Sequence, residues 1–271
     1  MTATSFRLRY GAEPPFDPPA VWSEVIARQL DHRSVRSYRP EPVSDDTLTA
    51  LIAAAQSAPT SGNLQLWSVV AVREDGRRAR LAELAGEQRF IEEAPLFLVW
   101  LADLARARQV TTELASATAE GADFVEAAVL AFVDVALAAQ NASLAAESLG
   151  LGTVFVGAIR NRPLEVAAEL GLPPHVFPVF GLTVGHPDDL AGTAVKPRLP
   201  QEAVLHHEQY DLAPQAAHVA TYETVLNAFY ATEGLPTGWV DRVANRFGTV
   251  AGLNGREHLR QALHTQGFPL R

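Results

Sequence analysis

Residues 122–158 read ADFVEAAVLAFVDVALAAQNASLAAESLGLGTVFVGA, and this stretch decides the fold class. The part from 122 to 149 is rich in Ala, Leu and Val without a helix breaker, which predicts one long central helix. Gly150 and Gly152 follow and end the helix, as glycine commonly does. The β-branched and aromatic run at 154–157 then predicts a strand that leaves the helix directly.

Helices and strands are mixed on both sides of this stretch. Further helices are predicted at 21–30, 77–84, 161–171, 215–231 and 239–263. One more helix is predicted to begin directly after Ser44, which is a good N-cap residue. Further strands are predicted at 68–72, 96–101 and 176–184. Residues 32–42 are expected to be extended, and 106–122 are expected to form a mobile segment. With no repeat and no regular βαβ rhythm, the pattern predicts an α+β fold, a central mixed sheet flanked by helices around one core.

Three segments are expected along the chain. Residues 1–30 form an N-terminal arm and the first helix, with 1–19 a loose lead-in rich in Pro and aromatics. Residues 31–210 form the core, and 211–271 form a C-terminal helical extension of the same domain.

Composition excludes several classes of function. The 271 residues carry a formal net charge of −9, which disfavours nucleic acid and anionic membranes as partners. There is no cysteine, so disulfides, thiolate metal sites and cysteine nucleophiles are excluded. His206 and His207 are adjacent and cannot share a helix face, so no metal site is expected. Within the most apolar region, 122–149, the longest charge-free stretch lies between Asp134 and Glu147 and is too short to span a bilayer, and a cytoplasmic protein is expected.

Four short segments carry polar groups suited to a bound anion or polyol. His32-Arg33-Ser34-Val35-Arg36 offers guanidinium forks and a hydroxyl that suit a phosphate, or forms a solvated basic loop. Residues 58–67, with Thr60, Ser61 and Asn63, suit a polyol or phosphate, or are ordinary turn chemistry. At Val156-Gly157-Ala158, the glycine allows a planar ligand to approach the backbone. Lys196-Pro197-Arg198 places two cations on a stiff loop, and Lys196 is the chain's single lysine.

Together these segments resemble the nitroreductase family of FMN enzymes, and most closely its oxygen-insensitive NADPH nitroreductase and NADPH flavin reductase group. The resemblance rests on His-Arg-Ser-x-Arg from His32, Pro-Thr-Ser-Gly-Asn-x-Gln from Pro59, Gln88, the end of the strand at 155–158, and Lys196-Pro197-Arg198. The runs at 139–152 and 172–182 are also similar to this group. The resemblance covers about 31–210, and five motifs in the right order make it specific.

The resemblance implies a role for each matching position. His32, Arg33, Ser34 and Arg36 would hold the FMN phosphate and ribityl chain. Thr60, Ser61 and Asn63 would lie near the flavin, and Gln88 would face the ring or its ribityl hydroxyls. Val156, Gly157 and Ala158 would present backbone to the ring. Lys196 and Arg198 would close on the pyrimidine edge and the phosphate, and Lys196 would stabilise negative charge on the reduced ring.

The implied activity is two-electron transfer from NADPH or NADH to nitroaromatics, quinones or free flavin by a ping-pong mechanism, in a homodimer. The Ala-rich central helix is either a core helix of one subunit or part of a symmetric interface. The loop 233–238 lacks the arginines that usually grip the NADPH 2′-phosphate in this family, and Arg242 and Arg246 are the candidate replacements. An alternative is a flavin-binding, storage or sensor protein with little turnover.

Overall fold

The computed structural model describes residues 2–10, 21–188, 193–235 and 238–271. The chain folds as two compact units. The smaller unit comprises residues 1–33 and 193–254, and the larger unit, here the core unit, comprises 34–192 and 255–271. The chain therefore leaves the core unit and returns to it for its last residues.

A four-stranded sheet forms the centre of the core unit. Its strands are β1 (Trp67–Val72), β2 (Leu96–Asp103), β3 (Gly152–Val156) and β4 (Val176–Gly185), in the order β1-β2-β4-β3. All neighbouring strands pair antiparallel, where the sequence pattern predicts a mixed sheet. Among the described residues, a parallel pairing occurs between Ser34 and Thr153 as an isolated bridge. Local patterning does not encode strand direction, which depends on how the connecting helices pack.

The core-unit helices cover both faces of this sheet. They are α3 (Asp45–Gln56), α4 (Asp75–Leu84), α5 (Arg89–Glu93), α6 (Ala105–Gln109), α7 (Val125–Ser148), α8 (Pro163–Glu169) and α11 (Leu259–Thr265). Every residue of β2 is buried. Alternate residues of a strand point to opposite faces, and Leu98 and Trp100 accordingly pack with α3 and α7, whereas Phe97 and Val99 pack with α4 and α5.

The long central helix α7 is confirmed, from Val125 to Ser148. Among the described residues it is the helix long and apolar enough to cross a membrane by length and composition. It is a core helix of this unit, since one face packs against α3 and the sheet. Nine of its residues are buried: Ala128, Ala131, Asp134, Val135, Ala138, Ala139, Ala142, Ser143 and Ala146.

In the described part of the smaller unit, the long regular elements are helices. Its helices are α1 (Thr2–Tyr10), α2 (Glu24–Leu30), α9 (Gln215–Thr232) and α10 (Trp239–Phe247). The expectation of a loose lead-in is wrong for residues 2–10, since α1 is a helix in which Phe6 and Arg9 are both 4% exposed. The prediction of one continuous helix at 239–263 is also wrong. The helix ends at Phe247 and resumes at Leu259, after left-handed backbone at Asn254 and Gly255.

The segment expected to be mobile at 106–122 has regular structure. It contains the end of α6, a π-helical turn at Val110–Leu114 and a 3-10 turn that begins at Glu120. Arg108 anchors it by an ion pair to Asp123, which also lies 3.5 Å from Arg271. Composition alone does not reveal this anchoring because the partners lie far apart in the chain.

Candidate functional site

The extended segment after residue 33 is attached to the edge strand β3. Val35 donates its backbone N–H to the carbonyl of Thr153 at 2.9 Å, and Ser34 pairs with Thr153 in the parallel bridge. The Tyr38 hydroxyl lies 2.6 Å from the carbonyl of Val35 and 2.6 Å from Thr183 Oγ1. Burial raises the pKa of Tyr38 above its ordinary value, so this hydroxyl stays protonated and can donate. The backbone of Ser34 is therefore set by the sheet.

Arg36 contacts an aromatic ring on the segment that begins at Gln88. The Arg36 guanidinium lies over the ring of Phe90, 5.9 Å from its centroid. Gln88 stands two residues before Phe90, as the residue that precedes α5. Its backbone N–H donates to the carbonyl of Ala82 at 3.2 Å, and its side-chain amide donates to Gly86 at 3.1 Å. The core unit therefore places a cation and an amide side chain on neighbouring segments.

Val156, Gly157 and Ala158 lie where β3 ends and a 3-10 turn, Gly157–Asn161, begins. No side chain caps the first N–H groups of this turn. A Cβ on Gly157 would lie 3.3 Å from the Arg160 side chain, which donates to the carbonyl of Val179, so any larger residue here would require that side chain to shift. Backbone N–H groups at this position can serve a ligand acceptor.

The loop from Thr60 to Leu66 is bound to the central helix by one carboxylate. Asp134 Oδ2 accepts hydrogen bonds from Thr60 Oγ1 at 2.6 Å and from the backbone N–H of Leu66 at 2.9 Å. Thr60 Oγ1 in turn accepts from the N–H of Gln65 at 2.9 Å. The Thr60 hydroxyl, expected near a flavin, is thus engaged inside the protein, whereas Ser61 and Asn63 are exposed.

Asp134 is a site residue that sequence reasoning missed. It is 2% exposed, and the residues around it in the sequence are apolar. A charged residue inside a buried helix stripe is itself a signal, because burying a carboxylate without partners is costly. Here the partners are the loop groups, so Asp134 sets the loop conformation.

A second network holds the other side of this loop. Arg106 donates to the carbonyls of Gln65 and Trp67, and to Ser68 Oγ and Asp103 Oδ2 at 3.2 Å each. Arg106, Gln65, Trp67 and Ser68 also border an open groove of about 600 Å³. The groove is lined by Ile52, Gln56, Leu64, Gln65, Leu66, Trp67, Ser68, Arg106, Ala107, Val110 and Thr111. Arg106 was not predicted from the sequence, since its partners are backbone carbonyls about forty residues away.

In the smaller unit, Lys196 lies beside an aromatic cluster. Its Nζ is 5.4 Å from the centroid of the Tyr230 ring. The next residue, Pro197, accepts a hydrogen bond from the Tyr222 hydroxyl at 3.1 Å. Arg198 is exposed and donates to the carbonyl of Lys196 at 3.2 Å. The two predicted cations therefore lie on one segment that the Tyr222 hydroxyl binds to α9.

The two arginines proposed for the dinucleotide differ in their contacts. The Arg242 guanidinium lies 4.6 Å from the centroid of Tyr230, the ring that also contacts Lys196. Arg246 donates to the carbonyl of Gly252 at 3.0 Å and so closes the turn after α10. In the loop expected to grip a 2′-phosphate, Pro236 and Thr237 lie outside the described residues.

Comparison with known proteins decides the family. The profile of the nitroreductase family matches residues 30–186, and that of the nitroreductase family C-terminal domain matches 196–271. The chain belongs to the nitroreductase family. Among curated relatives, it is 40% identical over 250 residues to a Bacillus subtilis FMN reductase, NAD(P)H, covering 91% of this chain and 98% of that protein. It is 38% identical over 252 residues to an oxygen-insensitive NADPH nitroreductase of Salmonella typhimurium, covering 92% and 100%.

The fold is likewise that of the nitroreductase family. A solved structure of a hypothetical oxidoreductase from Bacillus subtilis superposes with a TM-score of 0.87 at 39% identity, covering 92% of this chain and 100% of that one. The predicted family resemblance and fold are thereby confirmed.

Within the nitroreductase fold, each unit holds its own share of the predicted residues. The core unit carries Ser34, Arg36, Thr60, Ser61, Asn63, Gln88, Val156, Gly157 and Ala158, and the smaller unit carries His32, Arg33, Lys196, Arg198, Arg242 and Arg246. In the core unit, Ser34 contacts β3, whereas the Thr60 loop contacts α7 and Arg106. Their roles toward a cofactor remain predictions. Among the described residues, no group of three or more His, Asp or Glu is arranged to hold a metal ion.

Proposed function

We propose that this chain is an FMN-dependent NAD(P)H oxidoreductase that transfers two electrons to nitroaromatics, quinones or free flavin by a ping-pong mechanism. The observation that carries the proposal is high identity over more than nine tenths of the chain to relatives named FMN reductase and NADPH nitroreductase. When bound, FMN supplies a ring that accepts hydride from the nicotinamide and gives up two electrons to the acceptor. Cytoplasmic location is part of the same proposal.

The donor chemistry of the described residues fits FMN. A phosphate needs cations. The core unit carries the Arg36 guanidinium, and the smaller unit, taken by itself, carries the exposed Arg198. Ribityl hydroxyls and the ring edge need amides and backbone N–H groups. The Gln88 side chain and the uncapped turn that begins at Gly157 supply these.

Each protein group has a task that follows from its chemistry. Arg36 of the core unit would bind the phosphate and so hold the cofactor by its charged end, and the family resemblance implies the same task for Arg198. The Lys196 ammonium would stabilise the negative charge that the flavin ring gains on reduction. Gly157 admits the ring close to the backbone. No residue is required to hold or move a proton at a substrate atom, since the chemistry belongs to the cofactor.

The experiment that tests this function is steady-state turnover of FMN-loaded protein with NADPH and a quinone. We expect a yellow protein with non-covalent FMN, released on denaturation, and parallel lines in double-reciprocal plots. A protein that retains FMN but oxidises NADPH only at the uncatalysed rate would instead support the storage or sensor alternative. A colourless protein that takes up no added FMN contradicts both.

The homodimer is a further part of the proposal, supported by the exposed side of α7. Val125, Val129, Val133 and Leu137 repeat every four residues and are 49%, 46%, 50% and 38% exposed. These four side chains form one apolar stripe along α7. The stripe lies opposite the helix face that packs in the core. Contiguous apolar patches on soluble proteins commonly mark interaction sites.

Val133→Glu is expected to weaken self-association by at least tenfold, because a symmetric interface would bury two like charges together. Light scattering across a dilution series measures the monomer fraction. The matched control is Leu114→Glu, at a residue 78% exposed outside α7. Equal monomer fractions in the two variants, or a monomeric wild type, would rule out the stripe as the interface.

Arg242→Ala is expected to raise the KM for NADPH about tenfold and leave the KM for NADH unchanged, since only NADPH carries a 2′-phosphate for the guanidinium. Arg246→Ala is the comparison. Because Arg246 bonds to Gly252, its loss should lower thermal stability without discriminating between the nucleotides. Steady-state kinetics with both nucleotides decide this, and an equal effect of Arg242→Ala on both would show that it does not read the 2′-phosphate.

A further inference from the structure

Arg9, a buried arginine in α1, contacts the backbone of two segments of the smaller unit, the one at His32-Arg33 and the one at Lys196-Pro197-Arg198. The Arg9 side chain donates from Nε to the carbonyl of Leu30 at 3.1 Å, from Nη1 to the carbonyl of Lys196 at 2.6 Å, and from Nη2 to the carbonyl of His32. The Arg9 carbonyl accepts the N–H of Arg198 at 2.8 Å. Arg9 thereby joins the His32 segment to the Lys196 segment, and Lys196 lies 187 residues after Arg9 in the chain.

The three hydrogen bonds of the Arg9 side chain require a guanidinium and could not all be made by the ammonium of a lysine. Three nitrogens of one planar fork each reach a different carbonyl, which a single point charge on a flexible stem does not reproduce. Arg9 is 4% exposed, and these carbonyls replace hydrogen bonds to water that its guanidinium loses on burial. The helix α1 that carries it precedes the part of the chain matched by the family profiles, which begins at residue 30.

The position of this charge affects any anion held nearby. Carbonyl oxygens carry partial negative charge and repel a phosphate. By binding the carbonyls of His32 and Lys196, the Arg9 guanidinium offsets those dipoles. The hydrogen bond from Arg9 also limits how far the Lys196 backbone can move, and so fixes the position from which the Lys196 side chain extends.

We propose that Arg9 is a positioning residue that shapes the His32 and Lys196 segments to receive the cofactor's phosphate, a task that the N-terminal helix adds to this chain. The proposal rests on the proposed binding of FMN. It requires no contact between Arg9 and the cofactor, since Arg9 acts through the two backbone segments.

The experiment compares Arg9→Ala, Arg9→Lys and, as matched control, Arg7→Ala on the exposed side of the same helix. Dissociation constants for FMN and for riboflavin, which lacks the phosphate, are measured by flavin fluorescence. Arg9→Ala is expected to weaken FMN about tenfold and riboflavin less than twofold. Arg9→Lys should recover part of the loss because it restores charge but not the fork, and Arg7→Ala should match the wild type.

A second readout needs no flavin. In flavin-free protein, hydrogen exchange of the peptide covering 193–199 should be faster in Arg9→Ala than in the wild type, while the peptide covering β2 stays unchanged. Equal losses for FMN and riboflavin, or unchanged exchange at 193–199, would overturn the proposal. So would global unfolding of both Arg9 variants, which would make Arg9 a purely structural residue. A wild type that binds no flavin refutes the proposed function instead, and the exchange comparison still tests Arg9.

Discussion

Lys196→Ala is expected to slow the reduction of bound FMN by NADPH by one to two orders of magnitude. Lys196 is the chain's single lysine, and its Nζ lies 5.4 Å from the Tyr230 ring, which restricts where the ammonium can go. A hydrogen bond to a charged group contributes about 1.5–3 kcal/mol. Each 1.36 kcal/mol corresponds to about a tenfold change in rate, which gives the expected range.

The same variant should retain FMN less well, and Lys196→Arg should recover part of the rate, because the wider planar head places its charge differently. Stopped-flow absorbance of the flavin measures the reduction step. Arg28→Ala is the control, since it removes an exposed positive charge from α2 in the same unit. A wild-type rate and full FMN content in Lys196→Ala would leave Lys196 as an ordinary loop residue.

Asp134→Ala is expected to lower the free energy of unfolding by about 2–5 kcal/mol. The change removes the acceptor shared by Thr60 Oγ1 and the Leu66 N–H, and a buried donor without a partner costs about 1–3 kcal/mol. The loop cannot easily adapt, because Gly62, Asn63 and Gln65 all have positive φ, at 55°, 57° and 53°. For a chain of this size the melting temperature should fall by roughly 5–15 °C.

Thermal unfolding followed by circular dichroism measures this effect. Asp134→Asn keeps one acceptor oxygen and should lose less than half as much stability. Glu126→Ala removes an exposed carboxylate from the same helix and is the matched control. If Asp134→Ala melts within 2 °C of Glu126→Ala, the carboxylate does not hold the loop in the way that its two hydrogen bonds indicate.

Features that depend on neighbouring residues were predictable from the sequence. Ser44 was expected as an N-cap, and its hydroxyl accepts the N–H of Thr47 at 3.1 Å at the start of α3. The approximate ends of α7 and β2 were predicted from the spacing of apolar residues and from the Gly, Pro and Asp residues that flank them. Such signals are local, because helix capping and amphipathic periodicity are settled within a few residues.

The candidate site was predictable only as a set of segments. The motifs around His32, Pro59 and Lys196 were identified by residue type and order, which is why the family could be predicted. The groups that hold those motifs in place were not identified. Asp134, Arg106 and Arg9 act through contacts with backbone groups 21 to 187 residues away, and backbone partners have no residue-type signature.

By itself, therefore, the sequence determined the positions of the four strands and of the central helix α7, the absence of thiol chemistry, and the order of motifs that marks the nitroreductase family. The tertiary structure alone decided the antiparallel order β1-β2-β4-β3, the break between α10 and α11, and the helix at Thr2–Tyr10. The physical reason is the range of the interactions. A cap or an apolar repeat lowers the free energy within one segment, whereas strand pairing and the burial of Arg9 are favourable only once distant segments have met.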